Sequence, residues 1–334
     1  KYRASQVFKW IHQKGILDFE LMTDLNKDLR ENLRSIAEVK PPQIEEEFIS
    51  NDGTKKFLIK LNSGSMVEMV VIPDGKRKTL CISSQAGCAL QCSFCATGAQ
   101  GFDQNLRSDE IIGQLWLANF YKNNEEPISN IVFMGMGEPL LNFDAVIESA
   151  KIMKDQKAYG LSRKKITIST SGIVPNIERI NDFVDVSLAV SLHASNDKLR
   201  DEIVPINRKY PLKLLIQSCK NFLKNHQNRR HITIEYILIK GINDSLDDAK
   251  RLVKLLSNLS CKINLIPFNK FDGSNYERPS DDIIHAFKIF LINKGFITTL
   301  RTTRGDGVDA ACGQLVGNLT KSIKGKKLIS HKSL

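Results

Sequence analysis

Residues 79–98 read TLCISSQAGCALQCSFCATG: a short strand-like run leads into a loop that carries Cys88, Cys92 and Cys95 at C-x3-C-x2-C spacing. TLCISS is the first of six such runs. NIVFM, KITIST, VDVSLAVSL, ITIEYILI and KINLIP follow, separated by stretches of helical period. Strand and helix in alternation imply parallel strands joined by helical crossovers. The stretch after Asp244-Ser245 shows the helical period well, with Leu246, Ala249, Leu252, Val253 and Leu256 on one face behind a capping side chain. Six strand-helix units fit a partial (β/α)6 barrel or a doubly wound sheet. The unusual polar residues favour the barrel, because nearly all lie just past the C-terminal ends of the strands, the rim where barrel sites form.

Outside this alternation the pattern changes twice. Residues 1–42 have helical spacing at Val7, Trp10, Ile11, Leu21, Leu25 and Leu29, closed by Pro41-Pro42, and are expected to form a small helical appendage. Residues 43–75 hold FLIKL and MVEMVVI around Asn62-Ser63-Gly64, which reads as a β-hairpin extension. The barrel is expected over 76–300 and a C-terminal segment with a basic tail over 301–334. There is no internal repeat and no low-complexity tract.

A chain of 334 residues with 42% hydrophobic and 25% charged residues has the composition of an ordinary globular protein with a large core. No apolar run approaches the ~18 residues of a membrane span. The start has no secretory signal, which points to the cytoplasm. The opening on Lys1 rather than Met implies a truncated or processed start. A net charge of +11 favours a polyanionic partner. The basic clusters are Lys76-Arg77-Lys78, Arg163-Lys164-Lys165, Arg229-Arg230 and the run from Lys321 to Lys332. Any one of them alone reads equally well as a solvated loop; together with the net charge they favour nucleic acid.

Seven cysteines, an odd number without a signal peptide, argue against structural disulfides and for metal or thiol chemistry. Three thiolates on one tight loop suit a [4Fe-4S] cube whose fourth iron stays open. Zinc would need a fourth ligand, and the available Cys81 lies within the preceding strand rather than in a compact knuckle. Spacing and context favour the iron-sulfur reading. Cys219 and Cys261 read as small buried hydrophobes. Cys312 stands alone in AACGQL and, taken by itself, is a buried thiol in a turn.

Other candidates also have two readings. In MGMGEPLLN, Gly135 and Gly137 present Glu138 at a strand end, where a carboxylate beside close-approach glycines can accept a hydrogen bond from an ammonium group. In isolation the same residues make a turn with a solvated glutamate. Ser169, the SLHA residues Ser191, Leu192 and His193, and Asn269 close successive strands. A lone histidine there is more often a satisfied core residue, yet polar residues on several strand ends are hard to ascribe to packing alone. Glu68, in MVEMVVI, faces either side under the alternation and reads unaided as a surface residue.

The cysteine loop after the first barrel strand is similar to the hallmark of the radical S-adenosylmethionine (radical SAM) enzymes. GCALQCSFCATGAQGF, MGMGEPLLN, TISTSG, SLHA, INLIPFN and RTTRGDGVDAACGQL, in this order, resemble the RlmN family over almost the whole chain, including the helical appendage. The resemblance implies an α/β fold built on a partial (β/α)6 radical SAM barrel. It implies methylation of adenine C2 at adenine 2503 of the peptidyl-transferase centre of 23S rRNA and at adenine 37 of tRNA. This carbon is electron-poor and has no nucleophilic lone pair, so a radical route avoids a direct attack on a sulfonium methyl group.

The cofactors so implied are a [4Fe-4S] cluster on Cys88, Cys92 and Cys95 and S-adenosyl-L-methionine (SAM), two molecules per turnover. The family places SAM contacts at Gly137, Glu138, Ser169, Ser191, Leu192, His193 and Asn269. Cys312 corresponds to the methyl-accepting thiol that later tethers the base, Cys81 to the thiol that releases it through a transient disulfide, and Glu68 to the proton acceptor. The implied partners are 23S rRNA, tRNA and a low-potential electron donor such as flavodoxin or ferredoxin, with the protein acting as a monomer away from membranes. The chain departs from the family pattern at Gly307, where a second aspartate is common beside the retained Asp306. Two alternatives stand beside this reading. One is the sister family that methylates adenine C8 and confers antibiotic resistance, which GAQGF-x-x-N-L and TRGD disfavour. The other is a noncatalytic RNA-binding protein with zinc held by Cys81, Cys88, Cys92 and Cys95.

Overall fold

Ten strands form one mixed sheet in the computed structural model, which describes residues 2–123, 126–224, 230–302 and 304–317. Arg229 and the basic run from Lys321 to Lys332 lie outside the described residues. Strands β1 (Gln43–Ile49), β2 (Lys55–Lys60), β3 (Met66–Asp74) and β4 (Arg77–Cys81) are antiparallel neighbours. The short β5 (Gln85–Gly87) and β6 (Phe102–Asn105) pair separately, on either side of the cysteine loop. From β4 the main sheet continues in parallel through β7 (Asn130–Phe133), β8 (Ile166–Thr170), β9 (Ser187–Ser191), β10 (Ile232–Leu238), β11 (Cys261–Pro267) and β12 (Thr298–Leu300). The six expected strands are therefore joined by a seventh, and the hairpin extension gains β1 as a third strand. Both additions escaped the pattern for physical reasons. β12 is three residues long, and β1 is QIEEEFI, too acidic to read as a strand.

The parallel strands are rich in branched residues because both faces are covered. Ile131, Ile168, Val190, Ile234 and Ile263 are fully buried in the large core. The crossover helices are α4 (Ser108–Phe120), α5 (Phe143–Lys154), α6 (Val174–Phe183), α8 (Leu212–Lys224), α9 (Leu246–Leu256) and α10 (Asp281–Asn293). Ser245 caps α9 by accepting a hydrogen bond from the Asp248 N–H at 3.1 Å. The buried face of α9 consists of Ala249, Leu252 and Leu256, while Leu246, in the first turn, is 49% exposed. Two shorter helices, α3 (Ala96–Gln100) and α7 (Asp197–Ile203), lie among the strand-end loops.

Helices α1 (Tyr2–His12) and α2 (Lys27–Ile36) share a small core of Phe19, Met22 and Leu25 packed by Val7, Trp10, Ile11 and Leu29. This unit docks on the barrel through polar contacts. Trp116 Nε1 of α4 donates to the Ile11 carbonyl at 3.0 Å, Gln13 to the Gln156 carbonyl at 2.9 Å, and His12 Nδ1 lies 3.1 Å from Tyr159 Oη.

At one margin of the sheet, β1 carries Glu45, Glu46 and Glu47, with a register shift between Ile44 and Glu46. Among the described residues no helix is long and apolar enough to cross a membrane. Two of the basic clusters hold partners of their own: Arg77 with Asp74 at 2.9 Å, Lys78 with Glu126 at 3.1 Å and Arg230 with Asp185 at 2.7 Å.

Candidate active site

The sheet curls until the C-terminal ends of β7 through β11 face one open cavity of about 850 Å³, whose lining includes Cys88, Cys92 and Cys95. The cysteine loop is held tightly: Cys88 N donates to the Gly101 carbonyl at 2.8 Å and Cys95 N to the Cys92 carbonyl at 3.1 Å. Gly87, at φ +71°, leaves no room for a side chain, since a Cβ there would sit 1.9 Å from the Gly101 carbonyl oxygen. Burial pushes the Cys88 thiol up to about 12 and raises Cys92 and Cys95 as well. Such thiols become thiolates only when a metal draws off their protons. Among the described residues no three His, Cys, Asp or Glu side chains converge on a single metal ion. A cube that gives each thiolate its own iron fits this donor set. Cys81 does not line the cavity, so it is not placed as a fourth ligand.

Opposite the loop, Gly137 adopts φ +95°, and a Cβ there would lie 2.4 Å from Gln85 Cβ. This close approach turns Glu138 inward to 3% exposure, so it is not the solvated glutamate of the local reading. Its carboxylate accepts hydrogen bonds from Leu140 N at 3.0 Å and Ser171 N at 2.7 Å. Burial raises its pKa and these N–H groups oppose the rise. An ammonium group in the cavity would meet a preorganised acceptor.

On the neighbouring strands, Ser169 Oγ donates to Glu235 Oε2 at 3.0 Å and lies 3.5 Å from Ser191 Oγ. His193 has φ +60°, a left-handed conformation rare outside glycine. Its Nδ1 accepts from Ile237 N at 3.1 Å. Burial and the nearby Arg200 hold it down to about 3, so it is neutral and carries its proton on Nε2. Leu192 is fully buried and contributes backbone, its N–H donating to Glu235 O at 3.0 Å and its carbonyl accepting from Arg200 Nε at 2.9 Å. Arg200 also reaches the carbonyls of Ser171 and Ser191, pinning two strand-end loops.

The segment 309–317 lies across the cysteine loop. Ala96 N donates to the Gly313 carbonyl at 2.7 Å and Thr97 Oγ1 to the Leu315 carbonyl at 2.7 Å. Gln314 steadies the turn by accepting from Ala311 N at 3.0 Å and donating to the Lys270 carbonyl at 2.7 Å. These bonds put Cys312 in the wall between two spaces. It lines the first cavity and also a polar cleft of about 1030 Å³ that includes Arg77, Arg301 and Arg304. Asn269 lines the cleft rather than the first cavity, with its Nδ2 3.4 Å from the Cys312 carbonyl oxygen. Cys81 is buried at the end of β4, where burial and the neighbouring Cys312 raise its thiol to about 12. Burial raises Cys312 too, while Arg301 opposes the rise at both sulfurs. All seven cysteines are free thiols.

Glu68 lines neither space. It is 4% exposed, buried because both faces of β3 are covered, which corrects the surface reading. Its Oε1 lies 3.3 Å from Lys56 Nζ and its Oε2 accepts from Val316 N at 2.9 Å. Burial raises its pKa and Lys56 opposes this.

Sequence reasoning did not find Glu235, Arg301 and Lys56. Glu235 is 4% exposed, its Oε1 has no hydrogen-bond partner, and that oxygen is 3.8 Å from Arg301 Nη1. The available signal was one carboxylate inside the otherwise apolar run ITIEYILI. Arg301 and Lys56 left no such mark.

Comparisons with known proteins span almost the whole chain. The radical SAM superfamily model matches residues 82–256, and the model of the ribosomal RNA large subunit methyltransferase N-terminal domain matches residues 1–39. The chain is 53% identical over 324 residues to the dual-specificity RNA methyltransferase RlmN of Pseudomonas fluorescens (strain SBW25), covering 96% of this chain and 85% of that protein. It is equally similar, at 53%, to the same enzyme of Pseudomonas entomophila (strain L48), covering 96% and 86%. A crystal structure of a radical SAM methyltransferase from Sphaerobacter thermophilus superposes with a TM-score of 0.89 at 40% identity, covering 94% of this chain and 92% of that one.

Proposed function

The chain belongs to the RlmN family within the radical SAM superfamily, and from that premise we propose that it methylates C2 of adenine in 23S rRNA, at adenine 2503, and in tRNA, at adenine 37. The observation that carries this reading is the position of Cys312. One thiol lines both a cavity that holds three further cysteines and a cleft lined by three arginines, with a second thiol, Cys81, as its neighbour.

When bound, the [4Fe-4S] cluster and SAM would supply the methyl group and the hydrogen-abstracting radical, and the cluster would take back the electron released when the base is tethered. Cys88, Cys92 and Cys95 would hold the cluster. Glu138 would accept from the ammonium group of SAM, with Gly137, Ser169, Ser191, Leu192 and His193 shaping the remainder of that site. His193 offers an Nε2–H donor. Asn269 contributes from the cleft side, where it braces the Cys312 backbone. Cys312 carries the one-carbon unit as a thioether and then holds the adenine through that carbon. Cys81 releases the base: its sulfur attacks the Cys312 sulfur, the carbon–sulfur bond breaks towards the base, the thiol's proton ends on the methylene carbon, which becomes the methyl group, and the pair is left as a disulfide. Glu68 would take the C2 proton, the role the resemblance gives it. Arg77, Arg301 and Arg304 suit the phosphates beside an unstacked adenine.

The protein would act as a cytoplasmic monomer served by a low-potential donor such as flavodoxin or ferredoxin. The test is anaerobic reaction of the reconstituted protein with SAM, reductant and each RNA, followed by mass spectrometry and NMR of the nucleosides. A methyl at C2 is expected; a methyl at C8, or none on either RNA, overturns the proposal.

A further inference from the structure

Lys56 lies in β2, is 7% exposed and belongs to no recognised motif. Its ammonium group is 3.3 Å from Glu68 Oε1 and donates to the Asp309 carbonyl at 3.4 Å. The other oxygen of Glu68 accepts from Val316 N at 2.9 Å. Asp309 and Val316 are the two ends of the segment that carries Cys312. One buried ion pair therefore touches both ends of that segment, the cation at its start and the anion at its end. Asp309 also stands at φ +49°, a strained conformation for an aspartate that its surroundings must hold.

We propose that Lys56 is a positioning residue for Cys312: with Glu68 it forms an ion-pair clasp that fixes both ends of residues 309–316 and so keeps the sulfur in the wall between the two spaces. The inference rests on the reading of Cys312 as the methyl-bearing thiol. A buried ion pair is poor evidence of stability, since a well-packed apolar pair often does as well. What an apolar pair cannot do is donate to one carbonyl and accept from one N–H. Each charged group directs a further hydrogen bond at the same loop, and removal of either leaves the other's charge buried without its counter-ion. The arrangement also links the clasp to Glu68 chemistry: once Glu68 is protonated, the attraction to Lys56 is lost while the Cys312 loop depends on it.

Hydrogen exchange measured by mass spectrometry tests the clasp on the full chain with its cluster reconstituted. In Lys56→Met and Glu68→Gln, amides of residues 309–316 are expected to exchange about tenfold faster, with peptides from β11 unchanged. Lys56→Arg, which keeps the charge, is expected to restore slow exchange. Methylation of Cys312 in the absence of RNA, read from the mass of its peptide, is expected to slow in Lys56→Met with the KM for SAM unchanged. Unaltered exchange over 309–316 in both charge-removing variants overturns the proposal. If Lys56→Met accelerates β11 equally, it has unfolded, and Glu68→Gln, which keeps the shape of the pair, decides by the same readout. Failure of the wild type to methylate RNA would refute the proposed function, yet the exchange result would still decide the clasp.

Discussion

Cys312 in the wall and its neighbour Cys81 differ in what surrounds them. Cys81 sits in the core end of β4 and rests as a thiol, pushed up to about 12, whereas Cys312 borders the cleft with Arg301 beside it. Cys81→Ala is expected to leave adenine tethered to Cys312, visible as a protein–RNA band on a denaturing gel; free RNA with normal turnover would show that Cys81 has no part in release. Arg301→Met removes the cation that opposes the rise at Cys312. Alkylation of Cys312 at pH 8, followed by peptide mass, is expected to slow, because a smaller share of the thiol is ionised. At this scale the sequence was informative where a residue type is rare for its place, as with the three spaced cysteines or the glycines before Glu138. It misplaced Glu68 at the surface, because alternation assigns a face only when one face of the strand is wet, and β3 is buried on both. Lys56 was hidden for the same reason: β2 is buried from Phe57 to Ile59, with the lysine at its edge turned inward to meet Glu68.

The strands and their crossovers were legible because runs of branched residues between amphipathic stretches have few alternatives. The additions the sequence did not reveal, β1 and β12, owe their existence to neighbours rather than to their own composition: β1 pairs with β2, and β12 with three residues of β11. Element-level substitutions should divide accordingly. Ile263→Ala in β11 empties a fully buried position against Ile234 of β10 and is expected to cost about 2–5 kcal/mol, measured by denaturant unfolding. Ser245→Ala removes a cap from α9 and is expected to cost only about 1 kcal/mol. Gly137→Ala forces both a left-handed alanine and a clash with Gln85, so loss of SAM binding by calorimetry is expected even where the barrel still melts cooperatively.

Across the whole molecule, the N-terminal helices report on their own docking. Trp10 packs against their core, and Trp116 bonds to Ile11 across the junction; these are the chain's two tryptophans. Burial lowers His12 to about 4, with Asp155 partly opposing. Between about pH 6.5 and 4 the folded protein therefore binds fewer protons than the unfolded chain, and stability falls as pH falls through that window. Because His12 is only partly buried, the loss is screened to at most ~2 kcal/mol. A red shift in tryptophan emission on acidification, weakened in His12→Gln, is the expected sign; an unchanged pH profile in that variant would assign the transition elsewhere.

The margin of the sheet formed by β1 has its own consequence. An open strand edge invites a second chain to add a strand, and this one answers with three consecutive glutamates and an irregular ladder. Glu47 of that stripe is held by Lys55 and Lys122, so the edge is closed twice over: by carboxylates that a further strand would have to bury, and by a cross-brace from the loop after α4 that such a strand would have to displace.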